Sequence, residues 1–135
     1  MSCSQMLELP LNVLVIEDNP DYLYLLTRCL KNTLDQISIY SHDALQSIPD
    51  DLEPDLVVSD LNLLDAKADE VLNFLKRFTS RTQVLIVSGD SVQIDVIKKQ
   101  KVGDFMVLEK NTNLLTVLPQ VLRLLQHNHK NRFYF

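Results

Sequence analysis

Four points along the chain carry side chains suited to nucleophilic, acid or anion-binding chemistry, and each closely follows a short apolar run. They are Glu17 with Asp18, then Asp60, Ser88 and Lys110. The runs that precede them read LNVLVI, DLVV, QVLIV and FMVL. Runs so rich in Val, Ile and Leu are typical of strands buried on both faces of a parallel sheet. Because the carboxyl ends of parallel strands meet at one edge of the sheet, we expect the four points to converge there.

Convergence would place three carboxylates, from Glu17, Asp18 and Asp60, at short range, where they repel one another unless a cation neutralises them. Oxygen ligands of this kind suit Mg²⁺, which keeps several waters and prefers one or two carboxylates plus a phosphate oxygen. Lys110 adds a positive charge that can hold one oxygen of an incoming phosphoryl group, and Ser88 offers a hydroxyl to another. Asp60, at the middle of the edge, is then the predicted nucleophile, and its product would be an aspartyl phosphate.

The segments between the runs have the period and the boundaries of helices. A fifth apolar run, QISIY at 36–40, precedes the weakest segment, at about 43–47. Helices are predicted from Asn19 onward, over about 69–78, over 91–101 and in the last part of the chain. Strands and helices that alternate in this way, with crossovers of this length, predict a single doubly wound α/β domain.

Two prolines set the expected helix starts. Asn19 is predicted to cap the first helix, with Pro20 at its first position. The last helix is predicted to begin near Thr116, because Pro119 fits a first turn and would break a helix interior. The predicted inward faces are Tyr22, Leu23, Leu26, Cys29 and Leu30, then Val71, Leu72, Leu75 and Phe78, then Val92, Val96 and Ile97, and finally Val117, Val121, Leu124 and Leu125.

Composition and charge limit the classes of function. The chain has 135 residues and a net charge of −5 at pH 7, with no basic stripe, so we expect no direct binding of nucleic acid. No apolar run reaches membrane-spanning length and the start does not read as a secretion signal, so we expect a cytoplasmic protein without membrane contact. Cys3 and Cys29 are too few for a disulfide framework or a metal site. One domain is expected at 11–127, with tails at 1–10 and 128–135.

Four motifs, taken in order, resemble the receiver domains of two-component response regulators. VLVIEDN is similar to the family's first strand and acidic pair, DLVVSDLNLLD to its phosphoacceptor strand, VLIVSGD to its hydroxyl-bearing strand and VLEK to its lysine-bearing strand. The similarity runs from about Leu11 to Leu125 and is to a stand-alone receiver of the chemotaxis-regulator type. It implies the flavodoxin-like receiver fold, a five-stranded parallel sheet of order 2-1-3-4-5 with helices on both faces.

The resemblance also implies roles for individual residues. Asp60 would accept a phosphoryl group from a histidine kinase or a histidine phosphotransfer protein. Ser88 would swing toward that group and Lys110 would bind it. The implied Mg²⁺ ligands are Asp18 and Asp60 directly, Glu17 through a water molecule and Asn62 through its backbone carbonyl.

Four positions depart from the family's usual pattern. The loop after the phosphoacceptor usually carries a Pro and a Gly where this chain has Leu64 and Ala68, so it lacks its ordinary stiffener and hinge. Where the family usually has an aromatic residue that reports the switch, this chain has Val107. Where a Pro usually follows the lysine, often in a cis peptide, this chain has Asn111. The chemistry at Asp60 can therefore be intact while the usual transmission to the surface is altered.

Three classes of function follow. The preferred one is a phosphoacceptor switch, not a turnover enzyme, which signals to an unidentified downstream protein through its last two helices and fifth strand. The second is a degenerate receiver that binds a partner without phosphorylation. The third is a flavodoxin-like carrier or a phosphatase of the haloacid-dehalogenase type. It is remote, because EDNPD after the first strand offers neither a flavin-phosphate cradle nor the phosphatase's pair of aspartates.

The end of the chain carries two further features. His127 and His129 are two residues apart and would not share a helix face, so a tail is favoured over a metal site. Phe133, Tyr134 and Phe135 form an aromatic cluster for which docking to another surface and plain disorder are equally weighted hypotheses.

Overall fold

One parallel sheet organises the molecule, as seen in a computed structural model that describes residues 10–78, 82–100, 105–111 and 113–132. Its strands are β1 (Leu11–Ile16), β2 (Ile37–His42), β3 (Leu56–Ser59), β4 (Gln83–Ser88) and β5 (Phe105–Glu109). They lie in the order β2-β1-β3-β4-β5, all parallel, which confirms the predicted topology. The register pairs Ile16 with Ser59 and Ser88 with Glu109, so the carboxyl ends of the strands lie along one edge.

Four α-helices of the described residues cover the sheet, namely α1 (Pro20–Thr33), α2 (Ala68–Leu75), α3 (Ser91–Gln100) and α4 (Leu114–Arg132). The predicted start of α1 is confirmed, because the Asn19 side chain accepts the N–H groups of Asp21 and Tyr22, and Pro20 is its first residue. Single 3₁₀ turns are formed by Leu45–Ser47, within the segment identified as weakest, and by Lys76–Phe78 after α2. None of the helices among the described residues has the length and apolar character needed to cross a membrane.

The alternation of side chains along β1 divides the core into two layers. Val13 and Val15 pack in a cluster with residues of α1 and α4, whereas Leu14 and Ile16 pack on the other side with residues of α2 and α3. All four side chains are fully buried. Burial on both faces explains why the strand sequences are continuous apolar runs.

The beginning of α4 differs from the prediction. The helix starts at Leu114, not Thr116, because the Asn111 carbonyl accepts the N–H of Leu114 and begins the turn early. Pro119 therefore lies inside the helix and leaves the Leu115 carbonyl without its usual helical donor. Leu115 is exposed, so water can reach that carbonyl. The buried face of α4 is Leu114, Leu118, Leu122 and Leu125, while Leu124, predicted to face inward, is exposed.

The far end of α4 and the face of α3 also differ from the predictions. The helix continues to Arg132, so residues 128–132, predicted as tail, are helical. In α3 the buried residues are Ile94 and Ile97, and Val92 is 69% exposed, so its predicted inward direction is wrong. Residues two positions apart on an α-helix are separated by about 200° around its axis, which places Val92 on the face opposite Ile94. The predicted N-terminal tail, apart from Pro10, and the aromatic cluster at 133–135 lie outside the described residues.

Candidate functional site

Each polar point predicted from the sequence lies one step past, or at, the end of a strand. Glu17 continues β1 and its N–H donates to the His42 carbonyl, while the Asp60 N–H donates to the Ile16 carbonyl at 2.9 Å. The Lys110 N–H likewise donates to the Ser88 carbonyl at 2.8 Å. These residues are thus hydrogen-bonded as extensions of the sheet, and the sheet register fixes their backbone positions.

The centre of the site is an ion-pair triad of Glu17, Asp60 and Lys110. Lys110 Nζ lies 2.5 Å from Glu17 Oε1 and 2.8 Å from Asp60 Oδ2. The side chains of Lys110, Glu17 and Asp60 are 9%, 0% and 10% exposed. Two carboxylates this close and this buried need a shared cation, and the lysine provides it in the described structure.

For both Glu17 and Lys110, burial and the hydrogen bonds within the triad shift the pKa in opposite directions. Burial raises the pKa of Glu17 above its usual value, and the nearby Asp60 charge adds to the rise, while the hydrogen bond from Lys110 opposes it. Burial alone would lower the pKa of Lys110, but its hydrogen bonds to Asp60 and Glu17 outweigh burial and raise that pKa. Lys110 is therefore held in its charged form, which is the form that can bind a phosphoryl oxygen.

The donor set for a metal ion is also brought together. One oxygen from each of Glu17, Asp18 and Asp60 lies within 4.8 Å of the others. Asp18 is half-buried, and its Oδ2 accepts the N–H of Leu64 at 2.7 Å. An all-oxygen, carboxylate-rich set fits a hard divalent cation such as Mg²⁺. The predicted use of the Asn62 backbone carbonyl is untested and stays a prediction.

The mouth of the site is shaped by the turn after β4. Ser88 is fully buried and its Oγ accepts the N–H of Asp90 at 3.1 Å, which ties the hydroxyl oxygen to the turn. Asp90 caps α3 by accepting the N–H of Gln93, and its other oxygen accepts from the Asn62 side chain at 3.4 Å. Sequence reasoning did not single out Asp90, although an acidic residue just before a helix is a signal for a cap.

A second residue missed as part of the site is Tyr22. Sequence reasoning placed it in the apolar stripe of α1, and it does pack against the core. Its ring also lies against the site, with Lys110 Nζ 4.1 Å from the ring centroid. A hydrophobic pattern shows that a side chain points inward, but not that it meets a cation there.

The four positions that depart from the family pattern lie outside the triad. Leu64 is 94% exposed and Ala68 is buried at the first position of α2. Val107 is partly buried within β5. No cis peptide occurs among the described residues, and the Asn111 side chain accepts the N–H of Asn113 in the turn before α4.

Comparison with known families gives a match that covers most of the chain. Residues 13–121 match the response regulator receiver domain. Among curated proteins, none matches the sequence closely enough to count as a relative.

Solved structures of receiver domains share the architecture. The signal receiver domain of a protein described as a Luxo repressor from Vibrio parahaemolyticus superposes with a TM-score of 0.72 at 25% identity, covering 93% of this chain and 97% of that one. The response regulator DrrB of Thermotoga maritima superposes with a TM-score of 0.70 at 20% identity, covering 89% of this chain and 54% of that one. The phosphorylated cyanobacterial phytochrome response regulator RcpA superposes with a TM-score of 0.64 at 20% identity, covering 84% of this chain and 89% of that one. The latter two likenesses concern the fold alone.

Proposed function

Because the chain belongs to the response regulator receiver family, we propose that it is a phosphoacceptor switch in which Asp60 takes a phosphoryl group from a phosphohistidine. The donor would be a histidine kinase or a histidine phosphotransfer protein in the cytoplasm. The observation that carries the proposal is the buried triad, in which Lys110 Nζ contacts the carboxylates of both Glu17 and Asp60. A purely structural surface lysine would not be placed between two buried acids.

The proposed reaction is a transfer of a phosphoryl group between two residues. An oxygen of the Asp60 carboxylate attacks phosphorus, the bond between phosphorus and the imidazole nitrogen breaks, and its electron pair returns to that nitrogen. The product is an aspartyl phosphate. Lys110 already contacts Asp60 Oδ2, so its ammonium has only a short distance to move to an oxygen of the transferred group. Ser88 would contribute its hydroxyl after leaving the Asp90 N–H.

Mg²⁺ is proposed as the cofactor because the converging carboxylates match its preferred ligands. Asp18 and Asp60 would hold the ion directly, Glu17 through a water molecule and Asn62 through its backbone carbonyl. When bound, the ion would supply positive charge to the phosphoryl oxygens. The protein's own part is to keep three acids at one point and to hold Lys110 charged beside them.

The proposal is tested by beryllofluoride, which stands in for a phosphoryl group on a carboxylate. Amide NMR spectra would be recorded with Mg²⁺ alone and then with beryllofluoride, for the natural chain, for Asp60→Asn and for Asp55→Asn. Asp55 lies at the opposite edge of the sheet, where its side chain accepts the Asn12 N–H. We expect shifts at Ser88 and Lys110 in the natural chain and in Asp55→Asn, and none in Asp60→Asn. An unchanged spectrum of the natural chain at saturating Mg²⁺ would overturn the proposal.

A degenerate receiver is the second candidate, favoured by the residues at the family's switch positions. Val107 and Asn111 replace the usual aromatic and proline, and Leu64 stands almost fully exposed in the loop. Such a protein would bind its downstream partner equally with and without beryllofluoride. Shifts that reach α3 and α4 would favour the switch, and shifts confined to the site would mean chemistry without a transmitted switch. The absence of a response to Mg²⁺ and beryllofluoride would favour this second candidate.

A further inference from the structure

The ammonium of Lys110 has a third neighbour besides its two carboxylates. Lys110 Nζ lies 4.1 Å from the centroid of the Tyr22 ring, well within the range of a cation–π contact. The ammonium is thus bounded by Glu17, by Asp60 and by an aromatic face. The lysine side chain as a whole is only 9% exposed.

The position of Tyr22 is fixed by the start of α1. Its N–H donates to the Asn19 side chain at 3.2 Å, and the ring packs against the hydrophobic cluster shared by α1 and α4. Tyr24 provides a contrast on the same helix. It is 60% exposed, and its cation contact, with Arg28, is longer at 6.0 Å. Tyr22 is therefore anchored at both backbone and ring, as a residue that positions another side chain must be.

We propose that Tyr22 is a positioning residue for phosphoryl transfer, acting through Lys110. Its ring holds the ammonium beside Asp60 and keeps water from the side that the two carboxylates leave open. The contact is worth most when the cation is withdrawn from water, and the side chain of Lys110 is largely buried here. This inference rests on the proposed function, since it concerns the lysine's contact with the transferred group.

The test uses phosphoramidate as the donor at saturating Mg²⁺, with phosphorylation followed by intact-protein mass. In this reaction the bond between phosphorus and nitrogen breaks, ammonia leaves and the aspartyl phosphate forms. We expect Tyr22→Leu to react about fivefold more slowly than the natural chain, the rate equivalent of about 1 kcal/mol. Tyr22→Phe keeps the ring and should stay within about twofold of the natural rate. Tyr24→Leu, the matched control, should not change it.

A spectroscopic measurement separates positioning from mere packing. The ring should shift the ε-methylene protons of Lys110 upfield, and this shift should persist in Tyr22→Phe and vanish in Tyr22→Leu. Leucine preserves apolar contact with the core, so thermal unfolding of all three variants should remain similar. Equal rates in Tyr22→Leu and the natural chain, or loss of rate in Tyr22→Phe as large as in Tyr22→Leu, would overturn the role of the ring.

The outcome also distinguishes this inference from the function on which it rests. A natural chain that accepts no phosphoryl group, with a lysine that shows the ring shift, would overturn both the phosphoacceptor function and the positioning role. A natural chain that is phosphorylated, with a Tyr22→Leu variant equally fast, would overturn the positioning role alone.

Discussion

The candidate site and β5, one of the two edge strands of the sheet, meet at Lys110, yet they are built in different ways. The site consists of buried charges whose partners are fixed, as in the triad of Glu17, Asp60 and Lys110. The outer strand β5 is only partly buried along its apolar residues, whereas β4 beside it is buried throughout. A change of charge in the site should therefore cost more stability than a change of an apolar side chain in β5, because each buried charge depends on another, whereas the β5 side chains contribute through packing. The family's usual residues are replaced at Val107 in β5, at Asn111 after it, and at Leu64 and Ala68 in the loop and helix start that follow Asp60, and not in the triad.

The largest expected effect comes from removing the shared cation. Lys110→Met leaves Glu17 and Asp60 buried without their partner, and we expect the free energy of unfolding at pH 7.5 to fall by about 3 kcal/mol without Mg²⁺. Urea unfolding with EDTA measures it. Adding Mg²⁺ should recover part of the loss, because a bound cation would restore the missing charge. Lys31→Met, at an exposed lysine in the last turn of α1, is the control and should cost under about 1 kcal/mol. Equal losses in both variants would contradict the comparison.

A smaller loss of unfolding free energy is expected where only the packing of an apolar side chain is changed. Val87 in β4 is fully buried and Val107 in β5 is partly buried. We expect Val87→Ala to lower the free energy of unfolding by about 2 kcal/mol and Val107→Ala by about 1 kcal/mol or less, because the second removes less buried surface. Urea unfolding gives both values. The phosphorylation rate of Val107→Ala should match that of the natural chain, and a large fall would show that β5 takes part in the chemistry.

The smallest effect concerns the pH dependence of stability. Since the folded-state pKa of Glu17 is raised above 4.5, by burial first and by Asp60 next, its contribution to stability is present below pH 4.5 and is lost as pH rises through the raised pKa. Glu17→Gln removes this titration. We therefore expect the variant to gain stability relative to the natural chain as pH rises from 4.5 to 8 in EDTA, measured by urea midpoints. A relative loss over that range would mean that Lys110 outweighs burial.

Much of the fold and the placement of the triad could be predicted because both depend on local patterns. Each buried strand is a continuous apolar run, and a polar residue directly after it must lie at the carboxyl edge of a parallel sheet. This pattern alone fixes the backbone positions of Glu17, Asp60 and Lys110. Their proposed roles are a separate matter, which the NMR and phosphorylation measurements address.

The parts that could not be predicted depend on contacts between distant segments. Val92, Val96 and Ile97 fit a helical stripe as well as Ile94 and Ile97 do, and only packing against the sheet decides which stripe faces inward. Pro119 is tolerated inside α4 because the carbonyl it leaves free belongs to an exposed residue, Leu115. The contact between Tyr22 and Lys110 joins α1 to the end of β5, and no local pattern indicates it.

The hydrogen bond from the Asp60 N–H to the Ile16 carbonyl has a consequence for exchange with solvent. Asp60 follows the last residue of β3, so its amide can exchange its proton only when this hydrogen bond at the carboxyl end of the two central strands opens. Openings between buried central strands require more free energy than openings at chain ends and exposed turns. The amide of Asp60 should accordingly exchange more slowly than the amides of the exposed turns. A signal from the proposed aspartyl phosphate would then travel by rearrangement of side chains and of the elements around the sheet, while β3 stays paired with β1.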